Sequence, residues 1–335
     1  KDRHHYCEET QRNEGGRRLM RSMNDFGNDL YSGKLSFPFV AKRRLWFIIA
    51  IALIVGAALV PIFKPINFSI EFTGGSQFTV SGLDNPDQTV ASTAVKQVVP
   101  TATTKVTTVG STAVRVQTDQ MTPGETQQVA VALAEAFNVP ADEVTASFIG
   151  PSWGADVTKQ SLWGLAIFLA LTFLILGIYF RTWKMSVAAI IGLLDVLVIT
   201  LGVYALSGFE ISPAAVIGFL TILAYSLYDT TVVFDKVREN THEDGEISGR
   251  TFGESVNLAV NQTLVRSINT SVVAALPVGA ILFLGSFVLG ADTLRDISLS
   301  IFVGIIVATY STLFVAAPLY SLLREGEPAI KERDA

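Results

Sequence analysis

Six long apolar stretches, at 45–63, 162–180, 185–206, 214–234, 267–290 and 297–322, alternate with polar segments along the chain. Each is close to the ~20 residues that an α-helix needs to cross a bilayer. They predict a polytopic α-helical membrane protein with six transmembrane helices. Most polar connections are short. Only residues 64–159 form a connection long enough to fold as a domain of its own.

Within that connection the hydrophobic period changes. Residues 66–82 (INFSIEFTGGSQFTVSG) read as a strand bent at Gly74 and Gly75. Residues 84–99 read as a helix opened by Asn85, Pro86 and Asp87, with Pro100 after its end. Residues 105–109 and 113–118 alternate as short strands joined by Gly110 and Ser111. Residues 122–137 read as a helix with Thr122 as N-cap, Pro123 at its first position and Glu125 three residues after the cap. Residues 144–149 form a last strand. The order β-α-β-β-α-β is the split βαβ pattern, which predicts a four-stranded antiparallel sheet with two helices on one face. The segment pairs no acid with His and has no nucleophile elbow or phosphate loop. It reads as a contact or moving domain and not as an enzyme.

Elsewhere the polar pieces are simpler. Residues 1–28 lack apolar periodicity and are expected to be disordered, or to hold at most a short helix at 17–23. Lys42, Arg43 and Arg44 form a basic clamp before the first span, suited to anionic membrane lipid. Residues 181–184 and 208–213 are expected to be tight turns. Residues 253–265 place Val256, Ala259, Val260 and Leu264 among Asn257, Asn261 and Gln262, the pattern of an amphipathic interfacial helix. The first apolar stretch lacks the usual small-residue cleavage site, so it is read as a retained span.

Composition agrees with a membrane protein. Half of the residues are hydrophobic, 16% are charged and the mean hydropathy is +0.43, whereas a soluble protein carries about 25% charged residues. The net charge of −5 is unevenly spread and gives no reason to expect nucleic acid. The lone Cys7 excludes an intrachain disulfide, and His4, His5 and His242 all lie outside the apolar stretches. Placing residues 1–44 in the cytoplasm puts 19 of the 25 Lys and Arg on that side. The expected organisation is a cytoplasmic segment 1–44, a first span 45–63 and an external domain 64–159. Five further spans then fill 160–323, with a cytoplasmic loop at 235–266 and a cytoplasmic tail at 324–335.

Two carboxylates lie deep in apolar stretches. Asp229 sits in AAVIGFLTILAYSLYDTTVVF, and Asp195 in GLLDVLV. An ionisable group inside a membrane is costly unless it faces protein, water or a proton, so a functional role is its default reading. Asp229 lies roughly 7–9 Å inside its span, at about 1.5 Å per residue. Tyr225 falls one turn before it on the same face, and Thr230 and Thr231 follow it. These hydroxyls suit a proton path. Arg266 begins the next span at similar depth. An Arg partner would keep Asp229 ionised, and losing that partner would favour its protonation. The competing reading is a static ion pair that fixes helix packing. Asp195 is nearer the midplane, and one interhelical hydrogen bond from a protonated acid would also explain it. Asn269, Thr270 and Ser271 suit helix–helix glue equally well.

Several motifs resemble the SecF family, the six-span subunit of the SecDF protein-export complex within the RND superfamily. They are IEFTGG at 70–75, LLDVLVITLGVYAL at 193–206, AYSLYDTTVVFDKVREN at 224–240 and QTLVRSINTS at 262–271. The resemblance implies an RND-type half of six spans with an external ferredoxin-like domain of α+β class. It implies that Asp229 is the fourth-span acid of a proton relay, Arg266 its fifth-span basic partner and Asp195 the third-span acid. Leu194 stands where the family commonly has His, so a His–Asp pair is not carried over. The resemblance further implies pairing with SecD and work beside the SecYEG channel on an unfolded secretory polypeptide, with a YidC-type insertase as an additional partner. The proton gradient would drive late export, with no cofactor or metal. Other readings stay open. One is an RND-type exporter of small molecules or lipids. Another is a non-transporting scaffold or insertase subunit.

Overall fold

The computed structural model describes residues 23–64, 66–109, 112–243, 250–285 and 292–334. The turn at Gly110 and Ser111, the chain up to residue 22 and the loop 244–249 lie outside them. Among the described residues, each of the six apolar stretches contributes to a helix long and apolar enough to span a membrane; residues 286–290 of the fifth lie outside them. These are α2 (Arg43–Phe63), α6 (Pro151–Phe180), α7 (Trp183–Ser207), α8 (Pro213–Glu243), α9 (Phe252–Leu284) and, for the sixth, α10 (Asp292–Tyr310) continued by a π-helical segment (Ser311–Ala316) and α11 (Ala317–Glu325). Helix α1 (Met23–Tyr31) precedes them, and α12 (Pro328–Asp334) follows. The flanks of α2 and α6 stay apolar and open, as at Ile48, Ile51, Leu171 and Ile178. Such surfaces need no protein partner where lipid is the solvent.

The external domain has the expected order. Strand β2 (Gly75–Val80) is followed by α4 (Gln88–Val98), β3 (Thr104–Val109), β4 (Ala113–Thr118), α5 (Pro123–Phe137) and β5 (Val144–Ile149). The four strands run antiparallel in the order β3-β4-β2-β5. Alternation along the strands sends Phe78, Val80, Val114 and Val116 to one face, where Ala91, Val95, Val129 and Leu133 of the two helices cover them. Burying one such large side chain is worth about 1.5–3 kcal/mol. The local signals act as the sequence indicates. Asp87 accepts from the Thr89 N–H at 2.7 Å, and Thr122 and Glu125 close a capping box.

Residues 66–82 are not one bent strand. Strand β1 (Asn67–Phe68) pairs in parallel with β6 (Glu210–Ile211), a helical turn α3 (Ile70–Thr73) follows, and only then does β2 begin. Gly74 and Gly75 make the break possible, with φ of +73° and +128°. A Cβ on Gly75 would also meet the Thr118 carbonyl oxygen at 2.3 Å. The expected turn at 208–213 is therefore partly a strand, and it forms a shelf under the external domain.

Two further expectations change. Residues 253–265 do not form a separate interfacial helix, because α9 runs unbroken from a Thr251–Glu254 capping box through the fifth span. Its apolar stripe, Val256, Ala259, Val260 and Leu264, packs in one core with Phe39, Phe234 and Tyr320, so protein and not lipid covers it. Its polar stripe binds backbone: Asn261 Oδ1 accepts from the Phe37 N–H at 2.7 Å and Asn257 Oδ1 from the Val40 N–H at 3.1 Å. The second change concerns residues 23–28, which are helical in α1. Leu30, near the end of that helix, is buried in the same core, and Gln262 donates to the Tyr31 carbonyl at 3.1 Å. Tertiary docking supplies the order that the polar composition does not. Arg43, assigned above to the lipid clamp, is bonded to Glu325 at 2.6 Å.

Candidate functional site

The site lies where α7, α8, α9 and the π-helical segment meet. Helix α8 carries Tyr225, Tyr228, Asp229 and Thr230, and α9 carries Arg266, Ser267 and Ser271. Asp229 is buried, with 7% of its surface exposed. Ser267 Oγ donates to Asp229 Oδ1 at 2.8 Å. Asp229 Oδ2 has no hydrogen-bond partner among the described residues.

Arg266 does not form an ion pair with Asp229 within 4.0 Å. Its Nη2 approaches the Tyr228 hydroxyl at 3.4 Å, and both side chains are exposed. The helical period explains the split. One residue is about 100° of rotation, a turn being 3.6 residues. If Ser267 and Asp229 face inward, their neighbours Arg266 and Tyr228 must face outward. Arg266 thus lies beside the Asp229 turn without touching the carboxylate.

Tyr225 makes a second rung one turn away. Its hydroxyl lies 3.3 Å from Ser271 Oγ, and Ser271 in turn bonds Thr309 of α10. Thr230 and Thr312 hydroxyls meet at 3.0 Å. On the far side of the π-helical segment, Ser311 donates to the Gly192 carbonyl of α7 at 3.0 Å. Asp195, one turn along α7 from Gly192, is 2% exposed. Neither of its carboxylate oxygens has a hydrogen-bond partner among the described residues, and the same is true of the Tyr310 hydroxyl.

Consecutive residues of one π-helical segment therefore reach towards both acids, Ser311 to α7 and Thr312 to α8. Such segments distort the regular ladder and are frequent at functional sites. Ser267, Thr309, Ser311 and Thr312 are site residues that sequence reasoning did not single out. The polar run at 309–312 inside an apolar span was the available signal for three of them. Close packing holds the frame: a Cβ on Gly304 would lie 2.2 Å from Ile222 Cγ1, and one on Gly218 would lie 1.8 Å from Ser300 Oγ. Among the described residues no group of three or more His, Cys, Asp or Glu could hold a metal ion. Chemically the arrangement offers two buried carboxylates with hydroxyls around them, which suits taking up and releasing a proton.

Comparison with known proteins gives a consistent picture. Residues 128–326 match the family described as protein export membrane protein SecD/SecF, C-terminal, and residues 60–81 match the SecD/SecF GG motif. The chain is 39% identical over 313 residues to the protein translocase subunit SecF of Streptomyces coelicolor, covering 93% of this chain and 83% of that one. It is 39% identical over 325 residues to SecF of Mycobacterium tuberculosis H37Rv, covering 92% and 72%. The crystal structure of SecDF from Thermus thermophilus, a translocon-associated membrane protein, superposes with a TM-score of 0.74 at 29% identity. That match covers 87% of this chain and 39% of the longer one.

Proposed function

Because this chain belongs to the SecD/SecF family and is a SecF-type, multi-pass protein translocase subunit, we propose that it couples proton movement through Asp229 to late-stage polypeptide export. The observation that carries this reading is the state of Asp229: buried in the bundle, held by the neutral Ser267 hydroxyl and, among the described residues, in no ion pair. A carboxylate so placed is stable only with a proton, a water or a moving counter-charge to answer it. Tyr225, Thr230 and the π-helical hydroxyls extend the path, and Asp195 offers a second stop. One charge crossing 100 mV releases about 2.3 kcal/mol, so a few protons suffice for a domain rearrangement.

The partner in this reading is SecD. Support comes from the Thermus thermophilus relative, in which a single SecDF chain spans far more than the part matched here. A second support is the outward face of α8 and α9. Arg266, Tyr228 and Asn269 stand exposed there inside membrane-spanning helices, a placement that lipid disfavours and a second helical half satisfies. The basic-residue distribution supports cytoplasmic termini with 64–159 outside. In that orientation the external domain works on an unfolded chain emerging from SecYEG, with a YidC-type insertase as a further neighbour.

The test is proton flux and export in proteoliposomes holding SecD and this subunit. Asp229→Asn keeps size and hydrogen bonding but cannot change charge. The expected result is an assembled complex with neither flux nor proton-driven export, and partial activity for Asp229→Glu. Normal proton-driven export by Asp229→Asn would sink the relay and leave a scaffold role. The exporter reading draws on an apolar cavity of about 400 Å³ lined by Phe72, Leu165, Leu197, Leu201, Ile211 and Phe219. Proton-driven movement of lipid without any secretory polypeptide would favour it.

A further inference from the structure

A second cluster of buried charge lies at the opposite, outer ends of the helices. Alternation along β4 turns Arg115 and Gln117 away from the domain core and towards the membrane bundle. Below them is β6, held by its pairing with β1 and by the Asn67 side chain on the Gly208 carbonyl at 2.8 Å. Arg115 Nη1 meets Glu210 Oε2 at 3.3 Å, and Gln117 Nε2 donates to the same oxygen at 2.9 Å. The two charged side chains are 5% and 7% exposed. Burial pushes the Arg115 guanidinium below its ordinary pKa, and the Glu210 charge opposes that.

The shelf continues into the bundle. Ser212, two residues after Glu210, donates to Asp296 Oδ2 of α10 at 2.8 Å. The Tyr204 hydroxyl holds the Asp296 carbonyl, and the Arg295 guanidinium covers the Phe209 ring at 4.9 Å. From Asp296, α10 descends against α8 with no room for a side chain at Gly218 or Gly304. It ends at Tyr310, where the π-helical segment with Ser311 and Thr312 begins. A continuous set of packed and hydrogen-bonded groups thus joins the external sheet to the two acids. A desolvated ion pair is a poor source of stability, since well-packed apolar residues serve as well. What a charge pair adds is a directional joint that resists slipping.

We propose that Glu210 is a positioning residue, and that its ion pair with Arg115 is the joint through which movement of α10 reaches the external domain. This rests on the proton-relay reading above. The joint requires the domain to rock with β6 and α10, not to swing free of the bundle.

The test uses the full chain with SecD, Cys7→Ser as background, and spin labels at Gln127 on α5 and Leu206 at the outer end of α7. Arg115→Glu and Glu210→Arg should each broaden the label–label distance distribution. Each should lower proton-driven export by at least about tenfold, within the usual range of coupling between sites, while proton flux keeps the wild-type rate. The double swap should restore both the distance and export. Full export by either single variant overturns the proposal. So does a double swap that restores the distance but not export, or flux that falls in step with export. Should the reversals fail to assemble, Glu210→Gln retains the shape and the Gln117 bond and is held to the same criteria. Failure of the relay reading would appear separately, as wild-type export indifferent to the proton gradient.

Discussion

Ser267 Oγ holds Asp229 Oδ1 at 2.8 Å across the α8–α9 contact, while Arg266, its neighbour in sequence, turns outward to Tyr228. The buried acid therefore has a neutral partner inside the subunit, and its basic neighbour is free to face a second subunit. In the proposed reading this division would separate a proton-handling interior from a partner-facing surface, and the two can be tested independently.

Ser267→Ala removes the hydroxyl that donates to Asp229 Oδ1 at 2.8 Å. A buried group left without its partner costs about 1–3 kcal/mol. The expected outcome is a lower unfolding temperature together with slowed proton flux, and Ser267→Thr should recover much of both. Unchanged flux in the Ala variant would show that the bond is packing alone.

Arg266→Met should act differently. The Arg side chain is exposed on the helix bundle, so the isolated subunit should change in stability by no more than about 0.5 kcal/mol. Export with SecD present should fail. Measuring unfolding of the subunit alone and export by the pair checks both halves. A sharp loss of stability with normal export would overturn the partner-facing role.

Gly304→Ala places a methyl group against Ile222 at a distance no real contact tolerates. Overpacking of this kind costs about 1–3 kcal/mol. Gly56→Ala, in α2, meets nothing within 4 Å and should be neutral or mildly stabilising, since Gly is a poor helix former. Thermal unfolding of the two variants side by side would show whether α8–α10 packing is as tight as its glycines indicate.

Glu327 gives a pH dependence outside the membrane. The Lys184 ammonium at 2.8 Å, assisted by Arg324, holds its carboxyl below the ordinary value of 4.5. A lowered folded-state value means that the contribution is complete above about pH 4.5 and fades as the pH falls through the lowered value. Glu327→Gln should therefore flatten the acid limb of the stability profile and leave neutral-pH export intact. An unchanged acid limb would remove this pair from the account.

The path from sequence to site was uneven. Asp229, Asp195 and Tyr225 were legible because an ionisable or hydroxylic group within an apolar span stands out against its neighbours. The Thr122–Glu125 cap and the strands at 113–118 and 144–149 were legible because their signals are local. The break at Gly74 and Gly75 was visible, but its outcome was not. Whether the preceding residues continue the sheet or join β6 depends on a strand more than a hundred residues away.

By itself, the sequence determined the six spans, the split βαβ order and the two buried acids. Span length, hydrophobic period and capping are all properties of contiguous residues. Tertiary structure decided the rest. It set Ser267 and not Arg266 against Asp229, brought Ser311 and Thr312 between α7 and α8, and placed Arg115 on Glu210. Those pairings depend on how each helix is rotated and how deep it sits. A helical period fixes which residues share a face, but only packing against neighbouring helices chooses where that face points.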